Sequence, residues 1–430
     1  MDVPIGEKGE SYVEFLCGLA LCRDFVFRSP KYVRGKAEKE LCDILLLIDD
    51  IAIIIEVKTP DLPSRSGWSE EDAAAWTNKK SKEAFRQIHG AFRSLKKGLV
   101  KVVRNTPRGQ VPLDSSRIKR FFGIAAVDHP AMLMYGSPPE DTFDASVCPT
   151  MLVSFSQLRE MLHELSTISD LVEFLEIRRR VVLRGPLTGC TELDILATFK
   201  TQYPGLKAGL ETGAHLCFEP DCWTKYVKLG VREKRDRANE DSYVIDEIIE
   251  ELRRGRNHLP PDLPALFGEI SKDTDGQIIV ELSRLHRIER RAMGTKILEK
   301  MRLADETKRP RFFLHLSHRR VAFVFLVSNE PRPKRVERLQ LLAYLGKRRI
   351  RAERLVAIGV DTPAGGEGLV EGILLSSTLE DDERTYTAED DTDAAKFFGP
   401  KVESKLNEYK PRRPPKWRFK ERKRPRKRHR

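Results

Sequence analysis

Residues 43–58 read DILLLIDDIAIIIEVK, and this stretch decides the fold of the chain. Two runs of aliphatic residues, 44–48 and 51–57, flank the pair Asp49-Asp50. Runs of this length and composition are typical of strands, so the pattern predicts a hairpin with a two-residue turn. Because both faces of the hairpin are apolar, we expect it at the centre of a buried sheet rather than at a solvated edge.

The two-residue turn also predicts which residues face each other across the hairpin. Continuing the pairing outward from the turn places Asp43 opposite Glu56, with Cβ atoms about 4.5–5.5 Å apart. Lys58 lies two residues after Glu56, and side chains alternate along a strand, so all three share one face. The sequence therefore predicts two carboxylates and an ammonium group at one end of a buried hairpin.

Two carboxylates side by side repel one another, so this site needs positive charge. A hard divalent cation with oxygen ligands suits it, and Lys58 supplies the remaining charge. Mg²⁺, or Mn²⁺, lowers the pKa of a bound water and neutralises charge on a scissile phosphate. A plainer interpretation stays open, in which the acids are a solvated strand end and Lys58 is their ion-pair partner.

Three segments together resemble the PD-(D/E)xK nuclease superfamily. The first is the hairpin itself, with an Asp, a strand turn and Glu-x-Lys on the next strand. Residues 6–10, GEKGE, resemble the opening of the first helix in the nuclease-related-domain branch. Residues 82–92, KEAFRQIHGAF, are similar to the family's helix that bears a Gln. The resemblance covers roughly residues 6–130, with Cys42 in place of the Pro expected before the Asp, a Pro that is often missing in the superfamily.

The resemblance implies a restriction-endonuclease-like mixed sheet flanked by helices, and hydrolysis of phosphodiester bonds. It assigns catalytic roles to Asp43, Glu56, Lys58, Glu10 and Gln87. Asp43, Glu56 and the carbonyl of Val57 would hold Mg²⁺, while Lys58 would orient or activate the attacking water. Glu10 would reach the metal or its water shell, and Gln87 would position the substrate or Lys58. Glu14 competes with Glu10 as the helical acid, and Glu40 is either a further acidic neighbour or a surface residue.

The excess positive charge of the chain lies in its last residues. The formal net charge is +12, and residues 410–430 contain thirteen Lys or Arg and one acid, so the rest of the chain is neutral. Such a tail attracts polyanions, with an affinity that falls as salt rises. Aromatic residues interleaved with cations can also stack on bases; the tail residues in this pattern are Lys416, Trp417, Arg418, Phe419 and Lys420. We expect a nucleic-acid partner, DNA rather than RNA, although a purely solubilising tail stays open.

The length of 430 residues suggests more than one domain. We predict a nuclease-like domain at 1–135, a helical extension and linker at 136–235, an α+β domain at 236–395, and a disordered basic Pro-rich tail at 396–430. No apolar run is long enough to span a bilayer, and the acidic N-terminal segment fits no secretory or transit signal. The seven cysteines have no disulfide-framework spacing. We therefore expect a cytoplasmic location and no membrane partner.

Periodicity predicts the remaining elements. Helices are expected at 9–21, 79–97, 155–182, 192–203, 242–254, 278–301 and 333–346. Strands are expected at 24–28, 120–128, 311–316, 320–327, 354–360 and 368–376. Ser69, with Asp72 three residues on, is expected to cap a short separate helix.

Two further groups of metal-type ligands give weaker signals. His215, Cys217 and Cys222 supply only half of a four-ligand zinc site. His315 and His318 follow a predicted strand and are expected to be structural. The leading prediction is a Mg²⁺-dependent nuclease. The alternatives are a non-catalytic nucleic-acid-binding or assembly protein that uses a nuclease fold as a scaffold, and an RNA-associated nuclear protein suggested by the terminal KRPRKRHR.

Overall fold

The computed structural model describes residues 5–34, 37–60, 68–105, 109–129, 148–184, 189–213, 218–254, 274–350, 352–362 and 370–376. These residues form a mixed α/β structure with two principal sheets, flanked by helices. The expected α/β class is therefore confirmed. The predicted basic tail at 396–430 lies outside the described residues.

The first sheet has five strands. In spatial order they are β1 (Val26–Arg28), β4 (Ile44–Ile48), β5 (Ile51–Lys58), β8 (Arg120–Val127) and β9 (Thr150–Ser154). β4 runs antiparallel to β1 and β5, whereas β5, β8 and β9 are parallel. Two small hairpins that the sequence did not predict are β2 (Lys31–Arg34) with β3 (Ala37–Glu40), and β6 (Val102–Asn105) with β7 (Gly109–Pro112).

The central hairpin has the predicted register. Ile48 pairs with Ile51 and Ile44 pairs with Ile55, across a two-residue turn at Asp49-Asp50. Its two faces belong to different cores, because alternate residues of β5 point to opposite sides of the sheet. The faces of the sheet are therefore both covered, as the continuous apolar runs predicted.

Helices cover the two faces of this sheet. α1 (Ile5–Leu21) packs on one face together with α3 (Phe155–Glu164). α2 (Glu70–Lys96) packs on the other face, where Phe85 and Ile88 join Ile54 in a second apolar cluster. Ser69 caps α2 in a capping box with Asp72. The cap is as predicted, but it opens one long helix instead of a short separate one.

The described part of the segment predicted as a helical extension and linker, 136–235, consists mainly of helices. After β9 and α3 they are α4 (Ile168–Val182), α5 (Glu192–Thr212), α6 (Cys222–Lys228) and α7 (Val231–Ala238). The next helix, α8 (Tyr243–Arg253), lies beyond this segment and matches the helix expected at 242–254. α5 extends beyond the predicted end at residue 203, with a kink at Gln202 caused by Pro204. Leu206 and Leu210 are buried beyond the kink, so packing continues the helix where local propensity would end it.

The second sheet has four strands, β10 (Arg311–Leu316), β11 (Ala322–Ser328), β12 (Arg354–Asp361) and β13 (Val370–Ser376). Only β11 and β12 are parallel. Its helices are α9 (Thr274–Ser283), α10 (Arg287–Thr307) and α11 (Arg332–Ile350). The single helix predicted at 278–301 is therefore two helices, and His286 caps the second.

The two halves of the chain share an apolar core. One continuous cluster contains Val13 of α1, Ile53 of β5, Phe174 of α4, Ile248 of α8 and Phe323 of β11. The first sheet also takes its fifth strand, β9, from beyond the domain boundary predicted at residue 135. None of the helices in the described ranges is long and apolar enough to cross a membrane.

Candidate active site

Three predicted site residues meet where the central hairpin ends. Asp43 directly precedes β4, and β5 carries Glu56 and Lys58. The Lys58 Nζ lies 2.9 Å from Glu56 Oε2 and 3.7 Å from Asp43 Oδ2. Glu56 is 1% exposed. The structure therefore brings together two carboxyl groups and one ammonium group at a largely buried position.

Backbone groups hold Asp43 in place. The Val57 N–H donates to Asp43 Oδ2 at 2.6 Å, and the Ser29 N–H donates to the Asp43 carbonyl at 2.7 Å. In an extended strand the N–H and C=O of one residue point to the same edge. The Val57 carbonyl consequently points toward the Asp43 side of β5, where the predicted metal ligand is needed.

The electrostatics of the cluster show a shortage of positive charge. Burial and the neighbouring Asp43 raise the pKa of Glu56 to about 8, and Lys58 offsets only part of this rise. Burial lowers the pKa of Lys58, but Glu56 and Asp43 more than compensate and hold that pKa above its usual value. Lys58 is therefore a cation at neutral pH, and one ammonium group serves two carboxyl groups.

Glu10 reaches the same region from α1. Its Oε2 accepts from Ser29 Oγ and Arg28 Nε, each at 3.4 Å. Burial raises the pKa of Glu10, and the charge of Asp43 raises it further. The competing Glu14 side chain is 41% exposed and lies 3.8 Å from Arg28. The geometry favours Glu10 as the helical acid.

Arg28 is a site residue that the sequence did not reveal. It pairs with Ile44 in the β1–β4 ladder, which places it next to Asp43. Its guanidinium group contacts Glu10 and Ser11. No spacing rule connects Arg28 to the hairpin, because its position depends on the pairing of β1 with β4.

Gln87 faces a cleft beside the acidic cluster. The cleft has a volume of about 480 Å³, and both Asp43 and Glu56 line it. α2 forms one wall with Gln87 and Gly90. The remaining lining residues are Tyr32, Glu40, Leu41, Cys42, Ala91, Arg93, Ser94, Lys97 and Leu99. Glu40 is exposed and also lines the cleft, so of the two interpretations of this residue the structure supports an acidic neighbour of the site.

The wall formed by α2 is strongly cationic. Residues 79–97 contain seven Lys or Arg and a single acid, Glu83. Six of the cations are exposed: Lys79, Lys82, Arg86, Arg93, Lys96 and Lys97. Arg93 and Lys97 line the cleft and form no ion pair with another described residue. The net charge of the chain did not reveal this surface, because acidic residues elsewhere in the chain balance the positive charge of these cations.

A second group of ligand-type residues lies between α4 and α10. Asp170, Glu173 and His286 form the one set of three in the described ranges whose ligand atoms lie within 4.8 Å of each other. These atoms have protein partners: His286 Nδ1 is 2.9 Å from Asp170 Oδ1, and the Tyr203 hydroxyl donates to Glu173 at 2.5 Å. The Arg287 N–H donates to Asp170 Oδ2. The group is a polar junction between two helices.

The weaker candidates have ordinary contacts where they are described. His318 Nδ1 lies 2.8 Å from Glu289 Oε2, and burial lowers the pKa of His315. Cys222 begins α6, whereas His215 and Cys217 lie outside the described residues. The tail residues 416–420 lie outside them too.

Comparisons of this chain with protein-family models, curated proteins and solved structures found no match. A function for this chain is therefore inferred from the geometry of the site.

Proposed function

We propose that the protein is a metal-dependent nuclease that hydrolyses phosphodiester bonds, with DNA as its substrate. One observation carries the proposal: Asp43, Glu56 and Lys58 meet at the end of a buried hairpin, beside an open cleft. The mixed sheet with α1 and α2 on opposite faces agrees with the restriction-endonuclease-like fold that the sequence resemblance implies.

The donor set fits a hard divalent cation. Glu56 and Asp43 offer carboxylate oxygens, the Val57 carbonyl points to the same side, and Glu10 approaches from α1. Burial first, and then the neighbouring Asp43, raise the pKa of Glu56 to about 8, so ionised Glu56 lacks part of its compensating charge. Mg²⁺ or Mn²⁺, when bound, would supply that charge, polarise a phosphoryl oxygen and acidify a water.

Lys58 and the polar residues of the cleft wall have distinct roles in this proposal. Lys58 remains protonated, so it donates hydrogen bonds to the attacking water or a phosphate oxygen and is not a proton acceptor. The Gln87 amide, in the wall of the cleft, can donate to a further phosphate oxygen. Arg93 and Lys97 face the neighbouring phosphates from the same wall.

Cleavage assays with matched variants test the proposal. The full-length protein is incubated with plasmid and with single-stranded DNA in Mg²⁺, Mn²⁺ or EDTA. Asp43→Asn, Glu56→Gln and Lys58→Met should each reduce metal-dependent cleavage by about 100-fold or more, since each removes a proposed metal ligand or the ammonium group that faces the substrate. Glu219→Gln and Lys225→Met are the controls, because they change an exposed ion pair elsewhere and should leave cleavage intact.

A thermal-unfolding measurement gives a readout that does not depend on activity. Mg²⁺ or Mn²⁺ should raise the Tm of the wild type and raise it much less in Glu56→Gln, because the metal binds only the folded site. A wild-type Tm that neither metal changes, together with no cleavage of any substrate, would overturn the nuclease proposal. It would favour the scaffold alternative, in which the Lys58–Glu56 ion pair is purely structural.

A further inference from the structure

An aromatic cluster that the proposed mechanism does not use lies at the end of the first sheet. Trp68 stacks on His129 with ring centroids 5.5 Å apart and an interplanar angle of 23°. Trp76, in α2, lies 5.6 Å from Trp68 and 5.9 Å from His129. Both indoles stay partly exposed, so the cluster presents ring surface to solvent.

This aromatic cluster adjoins the catalytic lysine through the strand ladder. Lys58 pairs with Val127 in parallel β5 and β8, and the Asp128 N–H donates to the Lys58 carbonyl at 2.8 Å. His129 is the next residue. The aromatic cluster therefore begins two residues beyond the partner of Lys58.

The same side of α2 connects the aromatic cluster to the cleft. Glu83 and Gln87 follow Trp76 by 7 and 11 residues. In an α-helix this spacing places the three side chains on the same side. Between Trp76 and Gln87, Lys80 donates a hydrogen bond to Glu83 at 2.8 Å. Along α2 the order is therefore aromatic cluster, Lys58, acidic cluster and then the cations of the cleft.

The chemistry of this surface is that of a single-stranded nucleic-acid track. Cations along α2 offer contacts to a run of phosphates, and the partly exposed indole rings offer stacking to bases. Bases inside a duplex have their faces covered by their neighbours, so only an unpaired or extruded base can stack on protein rings. The first turn of α2 is acidic, with Glu70, Glu71 and Asp72, and the cationic surface begins at Lys79, three residues after Trp76. A purely structural cluster that covers the start of α2 has no need of indoles left partly exposed.

We propose that Trp68 and Trp76, backed by the buried His129 ring, bind an unpaired base, so that this protein acts on single-stranded or locally unpaired DNA. The proposal rests on the proposed nuclease function for its catalytic meaning. The bound strand runs along α2, from the aromatic cluster past Lys58 to Arg93 and Lys97. The stretch from Trp76 to Lys97 is roughly 30 Å long at the rise of an α-helix.

Binding measurements with matched oligonucleotides test the inference. Fluorescence anisotropy with a labelled single strand and the matching duplex is run in Ca²⁺, on the full-length protein. Trp68→Ala should weaken single-strand binding by about 5- to 100-fold, the range for loss of one stacked base, and change duplex binding by less than about twofold. Tyr243→Ala is the control, because it removes an exposed aromatic ring from α8 in the other half of the chain.

Photocrosslinking of the wild type keeps the test independent of how well the variants fold. A single strand containing 5-iodouracil should crosslink to the peptides that hold Trp68, Trp76 or His129. Crosslinks confined to the basic tail, which contains Trp417, would overturn the inference. An equal loss of single-strand and duplex binding in Trp68→Ala would overturn it as well.

The outcomes separate this inference from the nuclease proposal. Cleavage by the wild type with an unchanged single-strand preference in Trp68→Ala would contradict the inference alone. Absent cleavage with specific crosslinks to the aromatic cluster would contradict the nuclease proposal alone. A matching RNA strand, run in parallel, shows whether the sugar matters, since ring stacking alone does not distinguish the two.

Discussion

Gly9 controls how closely α1 approaches the end of β5. A Cβ on Gly9 would lie 2.5 Å from the Thr59 methyl group, too close for any real contact. Gly9 is buried, directly precedes Glu10, and faces the residue that follows Lys58. The glycine therefore allows the helical acid to reach the site, which gives the GEKGE segment a physical reason.

We expect Gly9→Ala to destabilise the protein by about 1–3 kcal/mol through overpacking, and to reduce cleavage by displacing Glu10. Urea unfolding and the cleavage assay measure the two effects. Gly6→Ala is the matched control, because its Cβ meets nothing within 4 Å, and it should stabilise the helix slightly. Thr59→Ser removes the clashing methyl group and should rescue Gly9→Ala; a double variant no better than Gly9→Ala would contradict this account.

The turn of the central hairpin is clamped by the second half of the chain. The guanidinium group of Arg284, which follows α9, lies 2.7 Å from Asp49 and 2.9 Å from Asp50. Arg120 of β8 also binds Asp50, at 2.9 and 3.1 Å. Asp49 has a φ of +53°, which is uncommon for a residue other than glycine, and these contacts stabilise that turn.

Arg284→Ala should lower the free energy of unfolding by about 1.5–3 kcal/mol, since it removes charged hydrogen bonds from a largely buried site. Arg120 and Arg319 would still pair the two carboxylates, which limits the loss. Arg117→Ala is the control: its side chain is 72% exposed and 4.0 Å from Asp49, so we expect less than about 1 kcal/mol. Equal effects in urea unfolding would show that the clamp is not specific to Arg284.

The polar junction between α4 and α10 makes stability depend on pH. Burial lowers the pKa of His286, but Asp170 more than offsets this and leaves it above the usual 6.5. A raised pKa in the folded state contributes stability that is present below the unfolded pKa and lost as pH rises through the folded value. Burial opposes ionisation of Asp170 too, yet His286 and Lys200 hold its pKa well below 3.8, so its contribution is lost as pH falls into the acid range.

His286→Asn keeps a hydrogen-bond donor for Asp170 but removes the charge. The substitution should destabilise the protein more at about pH 5.5 than at about pH 9, because only the protonated imidazole provides the ion pair. Urea unfolding of both proteins at the two pH values measures the difference. A destabilisation that does not change with pH would show that the imidazole charge contributes nothing.

Two concentrations of cations, one in the tail and one on α2, have different expected roles. The tail, residues 410–430, carries thirteen Lys or Arg and lies outside the described residues. The cationic wall of α2, by contrast, borders the site. We propose that the tail provides general attraction to nucleic acid and that α2 places the strand.

Deleting residues 410–430 should weaken DNA binding and reduce the slope of log K against log salt by about 0.9 for each phosphate that the tail neutralises. Cleavage at saturating substrate should change little, because the site is intact. The double variant Arg93→Ala/Lys97→Ala should show the reverse pattern to the tail deletion. Its salt slope should change little, and its cleavage rate should fall strongly. An unchanged salt dependence after the deletion would contradict the role of the tail.

The local geometry of the hairpin could be predicted from the sequence alone. Turn length sets register in an antiparallel pair, so the neighbourhood of Asp43, Glu56 and Lys58 followed from the spacing around Asp49-Asp50. The Ser69 cap and the two-sided burial of β5 were predictable for the same reason, since each depends on residues close together in the chain.

The tertiary structure alone decided which distant segments meet at that hairpin. β9 joins the sheet from residues 150–154, Arg28 reaches Glu10 through β1, and Arg284 clamps a turn 234 residues before it. The aromatic cluster beside Lys58 and the direction of the α2 cations depend on how α2 packs across β5 and β8. Such contacts follow no periodicity or spacing along the chain, because they arise from the packing of whole elements around shared cores.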